Sequence, residues 1–172
     1  MKNAFVLVSV LFMSAHSFAS LLGNCETDSR DCKFQIVAHH SGKCLDVSAA
    51  SKAGGAGIIQ FDCHKQKSAN QIWTLKPNGE GYYSIVSEVS GKCLDVTGSS
   101  QAAIGLIQWD CHGSANQQFK VTQNTSETFL ISARHSGKCL DIPESAKSNF
   151  MSLIQYPCHG KDNQAFTLVP VN

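Results

Sequence analysis

Three times in this chain a carboxylate, an aromatic ring and a pair of side-chain amides recur in the same order. The first copy reads Ser41-Gly42-Lys43-Cys44-Leu45-Asp46-Val47, Ile59-Gln60-Phe61-Asp62-Cys63-His64, Asn70-Gln71-Ile72-Trp73. The second runs from Ser90 through Cys93-Leu94-Asp95-Val96, Gln108-Trp109-Asp110-Cys111-His112 and Asn116-Gln117-Gln118-Phe119. The third contains Cys139-Leu140-Asp141-Ile142, Gln155-Tyr156-Pro157-Cys158-His159 and Asn163-Gln164-Ala165-Phe166. A carboxylate accepts paired hydroxyl hydrogen bonds, a ring stacks on an apolar face of C–H groups, and an amide both donates and accepts. Together these suit a polyhydroxylated ring, a sugar.

The elements that must carry these residues have period two. Phe34, Ile36 and Ala38 alternate inward, matched by Tyr83, Ile85, Ser87 and by Phe129, Ile131, Ala133. Leu45 and Val47 flank Asp46 as Leu94 and Val96 flank Asp95 and Leu140 and Ile142 flank Asp141, so the three aspartates should leave their strands away from the core. Each copy closes on a strand with alternating Trp73 and Leu75, Phe119 and Val121, or Phe166 and Leu168. Four short strands fit each period of about 46 to 49 residues, and three copies are too few for a propeller. The expectation is one all-β domain over 34–172, with repeats at about 34–80, 81–126 and 127–172 sharing a core on a pseudo-three-fold axis.

Before it, Met1-Lys2-Asn3, the apolar run to Met13 and Ser17-Phe18-Ala19 predict a signal peptide over 1–19. Its apolar core of about ten residues falls short of the ~20 that span a bilayer. Residues 20–33 read as a polar lead-in. Eight cysteines in an exported chain suggest disulfides. The repeat symmetry pairs Cys44 with Cys63, Cys93 with Cys111 and Cys139 with Cys158, which leaves Cys25 and Cys32 to close a small loop in the lead-in.

A net charge of +1 offers no face for nucleic acid. His64, His112 and His159 each follow a cysteine, and His40 and His135 precede one. The repetition spreads them around the molecule, so they are expected as turn or pocket-rim residues and no metal or other cofactor is expected. No nucleophile elbow, zincin motif or close carboxylate pair is present, and the chain is not expected to be an enzyme.

The threefold run of Cys-Leu-Asp, an aromatic two places before a second cysteine, and Asn-Gln-x-aromatic resembles the ricin B-chain type lectins, a family with a threefold Gln-x-Trp signature on a β-trefoil. Gln71-Ile72-Trp73 keeps that signature, while Gln117-Gln118-Phe119 and Gln164-Ala165-Phe166 replace Trp with Phe. The resemblance implies sugar pockets at Asp46, Phe61, Asn70 and Gln71, at Asp95, Trp109, Asn116 and Gln117, and at Asp141, Tyr156, Asn163 and Gln164. The second pocket ranks first for its Trp. The first ranks last, because two extra residues between Cys63 and Asn70 can displace that amide. The Asn-Gln pairs can equally brace the fold, and the aspartates can serve as acceptors for turn N–H groups. Gln60, Gln108 and Gln155 lie beside the ring rather than two places before it, hence on the opposite face. The resemblance implies a secreted, multivalent lectin for galactose-like glycans, alone or with a separate toxin or enzyme subunit. The alternative is a protein-binding trefoil, such as a protease inhibitor, with degenerate pockets.

Overall fold

A computed structural model describes residues 33–171; the expected signal peptide over 1–19 and the Cys25–Cys32 loop lie outside the described residues. The first copy contributes β1 (Lys33–Ala38), β2 (Cys44–Val47), β3 (Ile58–Phe61) and β4 (Trp73–Pro77). The second contributes β5 (Tyr82–Ser87), β6 (Cys93–Val96), β7 (Leu106–Trp109) and β8 (Phe119–Gln123). The third contributes β9 (Phe129–Ala133), β10 (Cys139–Asp141), the additional β11 (Met151–Ser152), β12 (Ile154–Tyr156) and β13 (Phe166–Pro170).

The first and last strands of the copies pair in the order β1, β4, β5, β8, β9, β13 and back to β1, which closes a six-stranded antiparallel barrel. The hairpins β2–β3, β6–β7 and β10–β12 hang from it. This is a β-trefoil.

Alternation decides what fills it. Phe34, Ile36, Leu45, Val47, Ile58, Trp73 and Leu75 join one core cluster with their counterparts, Ile85, Leu94, Val96, Leu106 and Phe119 from the second copy and Ile131, Leu140, Ile142, Leu153 and Phe166 from the third. Trp73, Phe119 and Phe166 occupy equivalent, fully buried positions. The buried indole N–H of Trp73 needs an acceptor and finds the Leu45 carbonyl at 3.1 Å, whereas a Phe ring has no polar atom to satisfy. That is why the second and third copies tolerate Phe.

Each Ser-Gly-Lys turn bends at a left-handed glycine, Gly42, Gly91 or Gly137, a conformation that only glycine takes without cost. Just beyond, one disulfide ties the start of each hairpin to its end: Cys44–Cys63, Cys93–Cys111 and Cys139–Cys158, with separations of 19, 18 and 19. Removing one, as in Cys93→Ser with Cys111→Ser, is expected to lower stability by about 3 kcal/mol, the closure entropy of such a loop. A denaturant melt measures this, and an unchanged midpoint would show that the bridge does not constrain the unfolded chain.

The copies lock together through glutamines on the hairpins. Gln60, Gln108 and Gln155 are fully buried. Gln108 Nε2 donates to the Ser51 and Ala53 carbonyls of the first copy at 2.8 and 2.9 Å, and Gln155 Nε2 to Ser100 and Ala102 of the second at 2.7 Å each. Gln60 Nε2 completes the ring on Ala146 and Ser148 of the third copy at 2.8 Å each. Their Oε1 atoms accept from Ser41, Ser90 and Ser136 of the Ser-Gly-Lys turns. These glutamines therefore face away from the pockets and act as clamps between copies. His40 and His135 assist, with Nε2 at 2.8 and 2.9 Å from the Ala146 and Ser100 carbonyls.

Candidate functional site

Each copy builds one pocket from two short turns. A 3₁₀ turn follows the Asp strand: Ser48–Ala50, Thr97–Ser99 or Pro143–Ser145. Its middle residue is left-handed in every copy, at φ 56° for Ala49, 60° for Gly98 and 57° for Glu144. A second 3₁₀ turn, Ala69–Gln71, Ala115–Gln117 or Asp162–Gln164, carries the Asn-Gln pair. Between the two turns lies a pocket with the carboxylate at its floor and the aromatic ring at its side.

In the second copy the pocket is about 390 Å³ and is lined by Asp95, Thr97, Ser99, Trp109, His112 and Asn116, among others. Asp95 leaves its strand away from the core, as alternation predicts, yet only 3% of it is exposed. The amides cover it. Asn116 Nδ2 and Gln117 Nε2 both donate to Asp95 Oδ2, at 3.1 and 2.7 Å. Oδ1 receives no hydrogen bond from the described residues. Asn116 Nδ2 also donates to the Val96 carbonyl at 3.2 Å, which turns its Oδ1 away, buried and without a donor. Pocket 2 thus offers one open acceptor, Asp95 Oδ1, beside Trp109, which is 46% exposed. The other side of that ring packs on a backbone from the first copy: a Cβ on Gly54 would meet Trp109 Cε3 at 3.1 Å.

The third pocket repeats this plan. Asn163 Nδ2 and Gln164 Nε2 reach Asp141 Oδ2 at 3.1 and 2.8 Å, and Tyr156 is exposed at the side. The first pocket does so too: Asn70 and Gln71 both donate to Asp46 Oδ2 at 2.8 Å. The two extra residues before Asn70 do not displace it. They are taken up in a turn at Lys65-Gln66, closed by Lys67 N donating to the His64 carbonyl at 3.1 Å. Burial pushes the Asp46 carboxyl above its usual value, against the lowering effect of the Gln71 and Asn70 donors and nearby His64. Because the folded value is raised, this group favours the fold in acid, and that contribution is lost as pH rises through its pKa.

Gln71, Gln117 and Gln164 are placed differently from the contact role the family resemblance implies. All three are fully buried, and both ends of each amide are occupied. Gln117 Nε2 bonds Asp95 and the Asp110 carbonyl, and its Oε1 accepts from His112 N at 2.9 Å; Gln71 and Gln164 make the same set. The glutamine therefore aims the carboxylate and ties down the histidine turn, leaving no group for a ligand. His64, His112 and His159 line their pockets. Nδ1 of His112 and His159 accepts a backbone N–H from Ser114 or Lys161, which leaves the ring proton on Nε2, 3.4 Å from the Asp95 or Asp141 Oδ2.

The residues that the motifs did not single out are Phe150, which lines the first pocket from the third copy, and Glu144, which adds a second carboxylate to the third. A lone aromatic in a loop that the other copies fill with Gly and Ala is the signal that could have found the former.

A family model for the ricin-type beta-trefoil lectin domain matches residues 33–166. No curated protein matches the chain. Among solved structures, the designed three-fold symmetric protein ThreeFoil is 39% identical with a TM-score of 0.79, over 82% of this chain and 100% of that one. An exo-beta-1,3-galactanase from Clostridium thermocellum is 34% identical with a TM-score of 0.77 over 81% of this chain, which spans 30% of that enzyme's length. The C-half of the earthworm R-type lectin, solved with GalNAc, shares the fold at 22% identity and a TM-score of 0.65, over 81% of this chain and 98% of that one. With the family match covering most of its length, the threefold motif and the trefoil that displays it, the chain belongs to the ricin-type β-trefoil lectin family.

Proposed function

We propose that this protein is a secreted, multivalent lectin for galactose-type sugars, bound at Asp46, Asp95 and Asp141. The observation that carries the reading is the open acceptor at the floor of pocket 2, Asp95 Oδ1, beside the exposed Trp109. A carboxylate oxygen left open in this way takes a charge-assisted hydrogen bond from a ligand O–H, worth about 1.5–3 kcal/mol. A hydroxyl on a sugar ring supplies that donor, and Trp109 stands where the apolar face of the ring would stack. A galacto-configured ring, whose axial 4-hydroxyl leaves the opposite C–H face clear, suits both contacts. The GalNAc of the earthworm lectin and the galactan cleaved by the clostridial enzyme are of this type, which supports the assignment.

Pockets of about 320 to 390 Å³ are at the small end for ligand sites and fit a terminal sugar rather than a long chain. Each binds weakly, and engagement of several pockets supplies avidity of the order of 10²–10⁴. The expected signal peptide and the three disulfides support export to an oxidising compartment.

A glycan array probed with the oxidised protein tests the reading. Galactose-terminated glycans are expected to bind, and Trp109→Ala is expected to weaken titrated binding to pocket 2 about tenfold, from the loss of a stacked ring. Well-folded protein that binds no glycan, or binds galacto and gluco sugars alike, would overturn it.

A further inference from the structure

We propose that pocket 1 selects methyl-bearing sugars, in which an acetamido group replaces a hydroxyl or a methyl replaces the hydroxymethyl, and that Phe150 from the third copy sets this selectivity. The inference rests on the sugar-binding reading above.

Phe150 is 70% exposed and sits at φ +66°. A bulky side chain in the left-handed region is a strained outlier. The equivalent residue at the next seam shows what the backbone requires. Phe150 N donates to the Gln60 carbonyl at 3.0 Å as Gly55 N donates to that of Gln108 at 2.8 Å, and Gly55 takes φ +84°. The first copy thus uses glycine where the third places a phenylalanine.

The surroundings hold that ring in place. Asn149 Nδ2 donates to Asp62 Oδ2 at 2.8 Å while its Oδ1 accepts from Asp62 N at 3.1 Å. On the other side β11 pairs with β3 over Met151–Gln60 and Ser152–Ile59, whereas the other two seams have single bridges, Gly57–Ile107 and Gly105–Ile154. Strain over-determined in this way points to a function, since a ring so exposed contributes little to folding. Phe150 stands edge-on to Phe61, with centroids 5.0 Å apart and planes at 68°.

The opposite lip agrees. Pocket 1 is bounded there by Ala49 and Ala50, pocket 2 by Gly98 and Ser99, pocket 3 by Pro143 and Glu144. The floor of pocket 1 still carries Asp46 and Asn70. A ring ligand held by the same floor therefore meets apolar walls on both sides only in pocket 1. A methyl group gains from those walls and a hydroxyl loses its hydration to them.

The test uses the full chain with Trp109→Ala and Tyr156→Ala, which removes the exposed rings of pockets 2 and 3. Calorimetric titration compares D-galactose, N-acetyl-D-galactosamine and D-fucose, which differ only at C2 or C6. At least one of the two methyl-bearing sugars is expected to bind about fourfold more tightly than galactose, the value of burying one methyl group. Adding Phe150→Gly is expected to bring that ratio close to one. Glycine adopts the required φ freely, so this variant should melt no lower than its parent. Preference for N-acetyl-D-galactosamine alone assigns the methyl to the acetamido group, and preference for D-fucose alone assigns it to C6. A ratio near one before Phe150 is changed, or a preference that survives Phe150→Gly, overturns the inference. So does a double variant that binds none of the three while the parent protein binds galactosides. A parent protein that binds no sugar overturns the lectin reading itself, and this inference with it.

Discussion

Asparagine at positions 46, 95 and 141 together is expected to abolish binding to a galactose-bearing surface while leaving the trefoil folded. In every pocket the aspartate's Oδ2 takes both amide donors, and Oδ1 is the atom left open. An asparagine side chain satisfies the same two donors with its carbonyl oxygen, so the Asn-Gln turn keeps its anchor. Its NH₂ group must then stand where Oδ1 stood. The pocket exchanges a charged acceptor for a neutral donor and loses a charge-assisted bond from a ligand hydroxyl, worth about 1.5–3 kcal/mol. That is roughly tenfold to a hundredfold per pocket, and the loss of avidity multiplies it. The fold loses less, because burial already works against the charge of Asp46. Surface plasmon resonance with a parallel thermal melt separates the two effects. If the triple variant bound within threefold of the parent, the aspartates would be structural acceptors only. A triple variant that failed to fold would show that the negative charge itself anchors the Asn-Gln turns.

What could be read from the chain was whatever repeats locally. Alternation around Asp46, Asp95 and Asp141 was enough to turn them from the core, and the spacing of the cysteines was enough to pair three bridges. The same alternation removed Gln60, Gln108 and Gln155 from the pockets, but it could not say what they do, because their partners are carbonyls of another copy's loop and carbonyls carry no side-chain identity. Burial of the aspartates was hidden for a related reason. Their cover comes from amides more than twenty positions downstream, brought over by the second 3₁₀ turn. Burial at those sites and the use of Gln71, Gln117 and Gln164 as braces are one fact: an outward carboxylate can be aimed at a ligand only if something rigid holds its other oxygen. The contribution of Phe150 to pocket 1 crosses the seam between the first copy and the third, so no motif within one copy could contain it.

Leucine at position 108 is expected to lower stability by about 4 kcal/mol and, although Gln108 lies off pocket 2, to weaken sugar binding there. Leucine fits the space closely, so the cost arises from polarity rather than from a cavity. The Ser51 and Ala53 carbonyls lose their shared donor and the Ser90 hydroxyl loses its acceptor; Ser51 and Ser90 are half-buried, while Ala53 is exposed and can turn to water. Each of the two half-buried losses is worth about 1–3 kcal/mol. The loop so released includes Gly54, which packs against the Trp109 ring and is not among the residues lining pocket 2. A looser buttress lets that ring leave its stacking position, and pocket 2 affinity is expected to fall several-fold. The equivalent changes at Gln60 and Gln155 repeat the loss at the other seams. The three together, at about 12 kcal/mol, reach the 5–15 kcal/mol that a domain has in total and should prevent folding. Urea melts of the single and triple variants, with a galactoside titration of the single one, measure all of this. A Gln108→Leu protein within 1 kcal/mol of the parent would show that water replaces the clamp and that the copies are held together by the barrel alone.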